Sequence, residues 1–420
     1  MDGNERTLGD LAVQVIDHID PSEMPQTLFH HYSLPNYDAG RRPQLEFGMS
    51  IKSGKLKVTD GTVLLSKLNP GNPKVWRIPT AMGQHAIAST EFLVLKPRTG
   101  ITLNALYAAC LNPSFLRSVT AKATGTSSSH QRVRPSDLLA TNLHLHVGNA
   151  DLAEIGNFIA ALDDKIELNR RMNTTLEAMA RALFQSWFVD FDPVRAKAEG
   201  RQPVGMDAET AALFPDSFEG SVLGPIPKGW VMTTVNQLFS LKNNRVEPGP
   251  NKNHLRYVAL DNMKSKSIGI DSFRAGSEVN SSIIEFAQGD ILFGSMRPYF
   301  HKVGLAPFDG ITRTTTFVLA PKAEWLRHFG LFQLSTDVAI EYATSASIGT
   351  TIPYVTWDAL GQYKCISPPE EILKAFSKEA GDLVAQMNVN ISTASTLAEL
   401  RDAQLTKLLS GELRVGDSTA

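Results

Sequence analysis

Three places in the 420-residue chain hold side chains whose types and spacing could do chemistry. Ser129 and His130 set a hydroxyl beside an imidazole, as nucleophilic catalysis requires. They lie in the polar run TGTSSSHQR, without the strand-and-elbow setting of a serine nucleophile. His144 and His146 alternate on a predicted strand, with no Cys or acidic cluster to complete a metal site. Asp190 and Asp192 in FVDFDP could serve as paired acids, but beside Pro193 they read as capping or solvated groups closing a helix. IKSGKLK resembles a fragment of a phosphate loop and lacks both the first Gly spacing and a Ser or Thr after Lys55. No G-x-G-x-x-G follows a strand. NPGN at 69–72 and SPPE at 367–370 both depart from the Asn-Pro-Pro-aromatic tetrad of amino-methyltransferases. The pattern favours a binding or scaffolding role over catalysis.

The elements that would position binding residues are written twice. GTVLLSKLNP at 61–70 matches GDILFGSMRP at 289–298, an offset of 228. Leu8 and Leu11 fall on Val235 and Leu238 at 227, Pro97 on Pro321 at 224, and Thr175-Leu176 on Thr396-Leu397 at 221. The order is kept and the offset, 227 and then 228 at the start, shrinks to 221 by the end, as small loop deletions would produce. Each copy predicts about 150 residues of mixed α/β structure followed by one long helix. TVLLSK and DILFGS read as strands. Helical stretches follow near 102–118 and 324–342, each ending in a hydroxyl-rich loop, TGTSSSHQR or SASIGTTIP.

Residues 152–187 carry Leu152, Ile155, Ile159, Leu162, Ile166, Asn169, Asn173, Leu176, Ala180, Leu183 and Trp187 at alternating steps of three and four. That is the heptad spacing of a coiled coil. The second copy runs Leu373, Phe376, Ala380, Leu383, Met387, Asn390, Ala394 and Leu397. Asn169 and Asn390 hold the same core position, and in an antiparallel pair they are expected to face one another and fix register. A helix of this length is on the order of 54 Å long, a spacer between two globular copies. The Pro- and Gly-rich stretch 193–229 reads as a linker outside any core.

Length predicts two or more domains, and 42% hydrophobic with 20% charged residues is ordinary for a globular protein. No run approaches the roughly 18 apolar residues of a membrane span. The polar start MDGNERTLGD carries no signal core, and Cys110 and Cys365 form no disulfide framework, which fits a reducing cytoplasm. The net charge of -2 hides alternating blocks: +4 over 1–147, -6 over 148–227, +3 over 228–366 and -3 over 367–420. The globular copies hold the positive excess, weakly favouring phosphate contact.

LDDKIELNRRMNTTLEAMARALFQSWFVDFDP (162–193) resembles the central conserved region of the specificity (S) subunits of type I restriction–modification systems. FPDSFEGSVLGPIPKGW (214–230) is similar to the family's entry into its second recognition domain, LRDAQLTKLLSGELRV (400–415) to its C-terminal ending, and GDILFGSMRP recurs in its recognition domains. The first copy departs, with KLNPGNPKVW where an Arg-bearing loop is commoner. The resemblance covers essentially the whole chain and implies a mixed α+β (α/β) fold. Two similar target recognition domains would be separated by two long antiparallel helices in a coiled coil, with an internal pseudo-two-fold. The expected boundaries are 1–149 and 228–368 for the recognition domains, 150–190 and 369–412 for the helices, 191–227 for the linker and 413–420 for a tail.

The resemblance implies a non-catalytic, cytoplasmic subunit that reads a bipartite duplex DNA target, one half-site per domain. Two modification (M) subunits, which bind S-adenosylmethionine and methylate adenine, would dock on the helices. Restriction (R) subunits using ATP and Mg would complete a nuclease, while this chain itself binds no cofactor or metal. Base reading favours polar and basic loop residues. In the first copy these are Lys67, Asn69, Lys74, Trp76, Thr126, Ser127, Ser128, His130, Gln131, Arg132 and Arg134. In the second they are Arg297, Tyr299, His301, Lys302, Arg313, Thr350, Thr351 and Tyr354. The competing expectation is a coiled-coil adaptor that tethers two modules for non-DNA ligands; a self-sufficient nuclease or hydrolase ranks third.

Overall fold

The computed structural model of the chain describes residues 6–416 apart from 125–130, 223, 244, 248, 250, 251, 253 and 280. It divides into two units, residues 1–168 with 394–420, and residues 169–393. Each unit contains one repeat and part of both long helices.

The first unit begins with the single turn α1 (Leu8–Leu11), where the Thr7 N–H donates to Asp10 Oδ2 at 2.8 Å. Its strands are β1 (Ala12–Val15), β2 (His18–Ile19), β3 (Leu28–Tyr32), β4 (Gln44–Phe47), β5 (Lys55–Lys57), β6 (Thr62–Ser66), β7 (Val75–Ile78), β8 (Ala86–Ala88) and β9 (Phe92–Pro97). They form a four-stranded sheet, β1-β9-β6-β7, and a five-stranded one, β2-β5-β8-β3-β4. Helix α2 (Leu34–Asp38) lies between β3 and β4, and α3 (Leu103–Leu111), α4 (Pro113–Ala121) and α5 (Pro135–Leu139) follow β9. The TVLLS run of β6 is buried throughout because both its faces are covered. Val63 and Leu65 pack with the helices, alongside Leu106 and Phe115, while Leu64 and Trp76 share a cluster with Tyr32 and Leu56 of the five-stranded sheet.

The second unit repeats this wiring. After α7 (Asp192–Ala198), α8 (Ala208–Leu213), the hairpin β10 (Phe218–Ser221) and β11 (Gly224–Pro227), strand β12 (Val231–Thr234) leads into the turn α9 (Val235–Leu238). The Thr234 N–H donates to Gln237 Oε1 at 3.1 Å, repeating the first unit's cap. Then come β13 (Phe239–Lys242), β14 (Arg245–Val246), β15 (Arg256–Tyr257), β16 (Arg274–Ala275), β17 (Ile283–Phe286), β18 (Ile291–Gly294), β19 (Val303–Leu305), β20 (Gly310–Arg313) and β21 (Thr316–Pro321). Their sheet orders, β13-β21-β18-β19 and β14-β17-β20-β15-β16, are those of the first unit strand for strand. The single parallel contact of each five-stranded sheet also recurs, β3 with β8 and β15 with β20. Helices α10 (Leu326–Leu334), α11 (Asp337–Ser345) and α12 (Trp357–Leu360) precede β22 (Lys364–Ser367), which pairs with β12. Each predicted helical stretch is thus two helices, broken at Asn112 and Ser335–Thr336, where Asn112 and Thr336 cap the second member.

The long helices are α6 (Asn149–Phe188) and α13 (Glu370–Leu409). Within the first unit Leu152, Ile155 and Ile159 of α6 share a core with Leu405, Leu408 and Leu409 of α13, and Arg401 bonds Asp163. Gly156 is needed here, since a Cβ would lie 2.4 Å from the Asn104 carbonyl carbon of α3. In the second unit Phe184 and Trp187 pack on Phe376, with ring centroids 6.0 and 5.9 Å apart, while Asn173 meets Met387 and Asn390. The segments run antiparallel in both.

The structure departs from three expectations. Asn390 bonds Asn173, at 2.9 Å, in place of Asn169. Asn169 is nevertheless buried, and its Nδ2 has no hydrogen-bond partner among the described residues. The stretch 191–227 is folded, not a free linker: Phe191, Val194 and Phe214 enter the second unit's core with Trp230. Trp187 packs on Phe214, and Phe188 and Phe191 pack on Trp230, and this aromatic packing overcomes the Pro and Gly punctuation. Finally, His144 and His146 lie outside any strand; His144 has φ 50° and its Nε2 is 3.0 Å from Ser118 Oγ.

Candidate nucleic-acid interface

In each repeat the loop leaving the central strand is stitched to the loop that follows the helix pair. In the first unit Leu68 bridges Arg132, Thr124 bridges Arg132, the Asn69 N–H donates to the Gln131 carbonyl at 2.9 Å, and the Val133 N–H donates to the Lys67 carbonyl at 3.0 Å. In the second Met296 bridges Tyr354, Ile348 bridges Tyr354, the Arg297 N–H donates to the Pro353 carbonyl at 2.7 Å, and the Val355 N–H donates to the Ser295 carbonyl at 2.9 Å. Every bond has its counterpart. The two loops of each pair therefore form one surface, held by backbone bonds and free to vary in side chain.

In the first unit this surface brings together Lys67, Asn69, Gln131 and Arg132, with Arg134 exposed at the cap of α5. Burial pulls the Lys67 ammonium below its usual pKa; Glu91 opposes that shift and Arg132 adds to it. Arg132 reaches Glu91 at 2.7 Å yet stays 63% exposed, so it remains able to meet a phosphate. Thr126, Ser127, Ser128 and His130 lie outside the described residues.

Two first-unit candidates are corrected. Trp76 is 5% exposed and packs edge-on against Tyr32 and Tyr37, at 4.8 and 5.7 Å between centroids. Its place on β7, facing the five-stranded sheet, makes it core. Lys74 pairs with Asp38 and lies 5.6 Å over the Tyr37 ring, occupied within the domain.

In the second unit Arg297, Tyr299, Thr350, Thr351 and Tyr354 share the paired loops, with Tyr299 48% and Tyr354 44% exposed. His301 is instead buried: its Nε2 is 2.9 Å from the Ser335 carbonyl and its Nδ1 3.4 Å from Asp337. It anchors the loop to α11. Lys302 likewise donates to the Leu260 carbonyl at 2.6 Å. Arg313 is exposed on β20 of the five-stranded sheet, away from the stitched segments.

Phe300, Ile348 and Ile352 were not singled out from the sequence, though 45–51% of each is exposed on these loops. Their signal was available as apolar residues in segments otherwise rich in Gly, Ser and Thr. Apolar contact of this kind suits thymine methyl groups. Among the described residues no cluster of three His, Cys, Asp or Glu could hold a metal, and no helix is long and apolar enough to cross a membrane.

No protein-family model matches the chain. It is 24% identical over 469 residues to the type I restriction enzyme HindI specificity subunit of Haemophilus influenzae, covering 98% of this chain and 100% of that one. It is 24% identical to the type I restriction enzyme MjaIX specificity subunit of Methanocaldococcus jannaschii, over 87% of this chain and 81% of that one. The fold is shared with the S subunit of a type I restriction–modification system from M. genitalium, at a TM-score of 0.55 and 15% identity over 96% of this chain and 95% of that one. By sequence along its length and by fold, the chain is a relative of the type I restriction enzyme specificity subunits.

Proposed function

We propose that this chain is the non-catalytic DNA-recognition subunit of a type I restriction–modification enzyme. Each repeat reads one half of a split duplex target through its paired loops. The long helices set the spacing between half-sites and dock the modification subunits. The observation that carries this reading is the duplicated loop pair: the same backbone bonds recur at Asn69–Gln131 and Arg297–Pro353 on an otherwise identical sheet order. Duplicated surfaces with different side chains suit two different half-sites.

Two modification subunits carrying S-adenosylmethionine would supply adenine methylation, and restriction subunits with ATP and Mg would supply cleavage, in the cytoplasm. The helix charge supports protein docking there, since α6 and α13 each carry six acidic and four basic residues, a net -2 that disfavours phosphate. The adaptor alternative finds no support among the relatives.

The test is methylome mapping of cells expressing the modification partner with and without this chain. A split adenine-methylated motif that depends on the chain is expected, and exchanging residues 1–147 should change one half only. An assembled complex giving no chain-dependent methylation overturns the proposal.

A further inference from the structure

Asn69 and Arg297 occupy one position in the two repeats, since 69 plus the offset of 228 gives 297. Both have a left-handed backbone, φ 51° and 49°. Both donate their N–H to the facing loop, at 2.9 and 2.7 Å. Most L-residues, arginine included, adopt this conformation unfavourably; asparagine tolerates it better and glycine adopts it freely. Each repeat nonetheless places a polar side chain there, at the point where the two loops meet.

The Arg297 guanidinium lies 5.8 Å from the Phe300 ring centre, and its Nε is buried with no partner among the described residues. Other half-buried arginines of the same unit are matched internally: Arg181 bonds Glu177 and Arg327 bonds Glu324. Arg297 is thus a planar donor set steadied by an aromatic ring and left without an internal acceptor. In the major groove two acceptors side by side are guanine O6 and N7, the match for a guanidinium. An asparagine amide carries one donor and one acceptor, the match for adenine N7 and N6.

Resting on the recognition reading above, we propose that Asn69 and Arg297 are equivalent base-reading residues. The first repeat's half-site contains an adenine contacted by Asn69, and the second's contains a guanine contacted by Arg297.

The experiment uses the full chain assembled with its modification partner, assaying methylation of a randomised duplex library. Asn69→Gly and Arg297→Gly remove the side chain while accepting the positive φ, and thermal melts confirm folding. Arg297→Gly is expected to relax preference at one G·C pair of one half-site by about 10- to 100-fold, leaving the other half unchanged. Asn69→Gly should do the same at one A·T pair of the other half. Arg297→Lys, which keeps charge without the bidentate fork, should lose discrimination at that same G·C pair while retaining overall binding. Relaxation at no position, at the other base type, or in the same half for both residues overturns the proposal. A wild-type complex without a split motif instead overturns the recognition reading itself.

Discussion

Asn390 donates its side-chain amide to Asn173 Oδ1 at 2.9 Å, and Asn173 donates in turn to the Met387 carbonyl at 3.1 Å. This chain of bonds ties α13 to α6 inside a largely apolar seam. A half-satisfied polar pair is worse than none. Asn390→Leu alone should therefore destabilise the protein by about 1–3 kcal/mol, by stranding the Asn173 carbonyl oxygen. The double variant Asn173→Leu with Asn390→Leu should recover most of that loss. Denaturant melts of the four proteins give the coupling directly; additive effects would show that the bond carries no coupling energy.

Asn169 offers the opposite case, because its buried Nδ2 is unpartnered among the described residues. Replacement by Leu should raise stability by about 1 kcal/mol, as the desolvation of an unmatched amide is removed. An unchanged or lower midpoint would mean that a bound water or partner satisfies the group in solution.

In the first unit Asp163 is 6% exposed and takes the Tyr107 hydroxyl and Arg401, with Arg41 at 4.0 Å. Burial, with the Asp163 charge adding to it, drives the Tyr107 phenol above its usual pKa. Asp163→Asn keeps the shape and removes the charge that two arginines share. It should cost about 3–5 kcal/mol, whereas Asp164→Asn, at a carboxylate 68% exposed, should cost under about 1 kcal/mol. Melts of both variants in the full chain check the contrast.

His328 gives the pH dependence. Burial lowers its pKa to about 4, the Arg327 charge adds to this and Glu324 opposes it. Its Nδ1 lies 2.9 Å from Ser377 Oγ. The unfolded chain binds a proton near pH 6.5 and the folded one near 4, so the unfolded state holds more protons between these values. Stability is full above 6.5 and falls as pH drops toward 4, by on the order of 2–3 kcal/mol. His328→Gln should flatten that acid limb in melts from pH 7 to 4; an unaltered limb would assign it to other groups.

Trp76 and Arg134 separate core from contact. Trp76→Ala should destabilise the first unit by about 3–5 kcal/mol. Arg134→Ala should leave the melt unchanged and lower the salt dependence of DNA binding by about one unit of slope. Filter binding of the assembled complex across salt concentrations measures the second.

The repeat was legible because its matches are backbone requirements. An apolar run between Gly and Pro reads as a buried strand in either copy, and Val63 and Ile291 do occupy the same sheet position. The offset of 221 likewise carries α6 onto α13 end to end. Heptad spacing marked the inward face of both helices, since a period near 3.5 defines a seam whatever the partner.

Spacing could not select Asn173 over Asn169 as the partner of Asn390. Both lie on the seam, and which one meets Asn390 depends on the axial stagger that the core around Phe184, Phe188 and Phe376 imposes. Nor could composition place 191–227, because Pro and Gly break helices without preventing Phe191 and Phe214 from finding a core. Among the candidate contacts, polarity marked the paired loops but not which of their side chains stay free. Lys74 and His301 are consumed by Asp38, Ser335 and Asp337, residues 34 to 36 positions distant in sequence. Local pattern determined the elements and their duplication. Long-range packing decided which polar groups pair inside the fold and which are left for a ligand, because a buried donor must find its acceptor wherever the chain brings one.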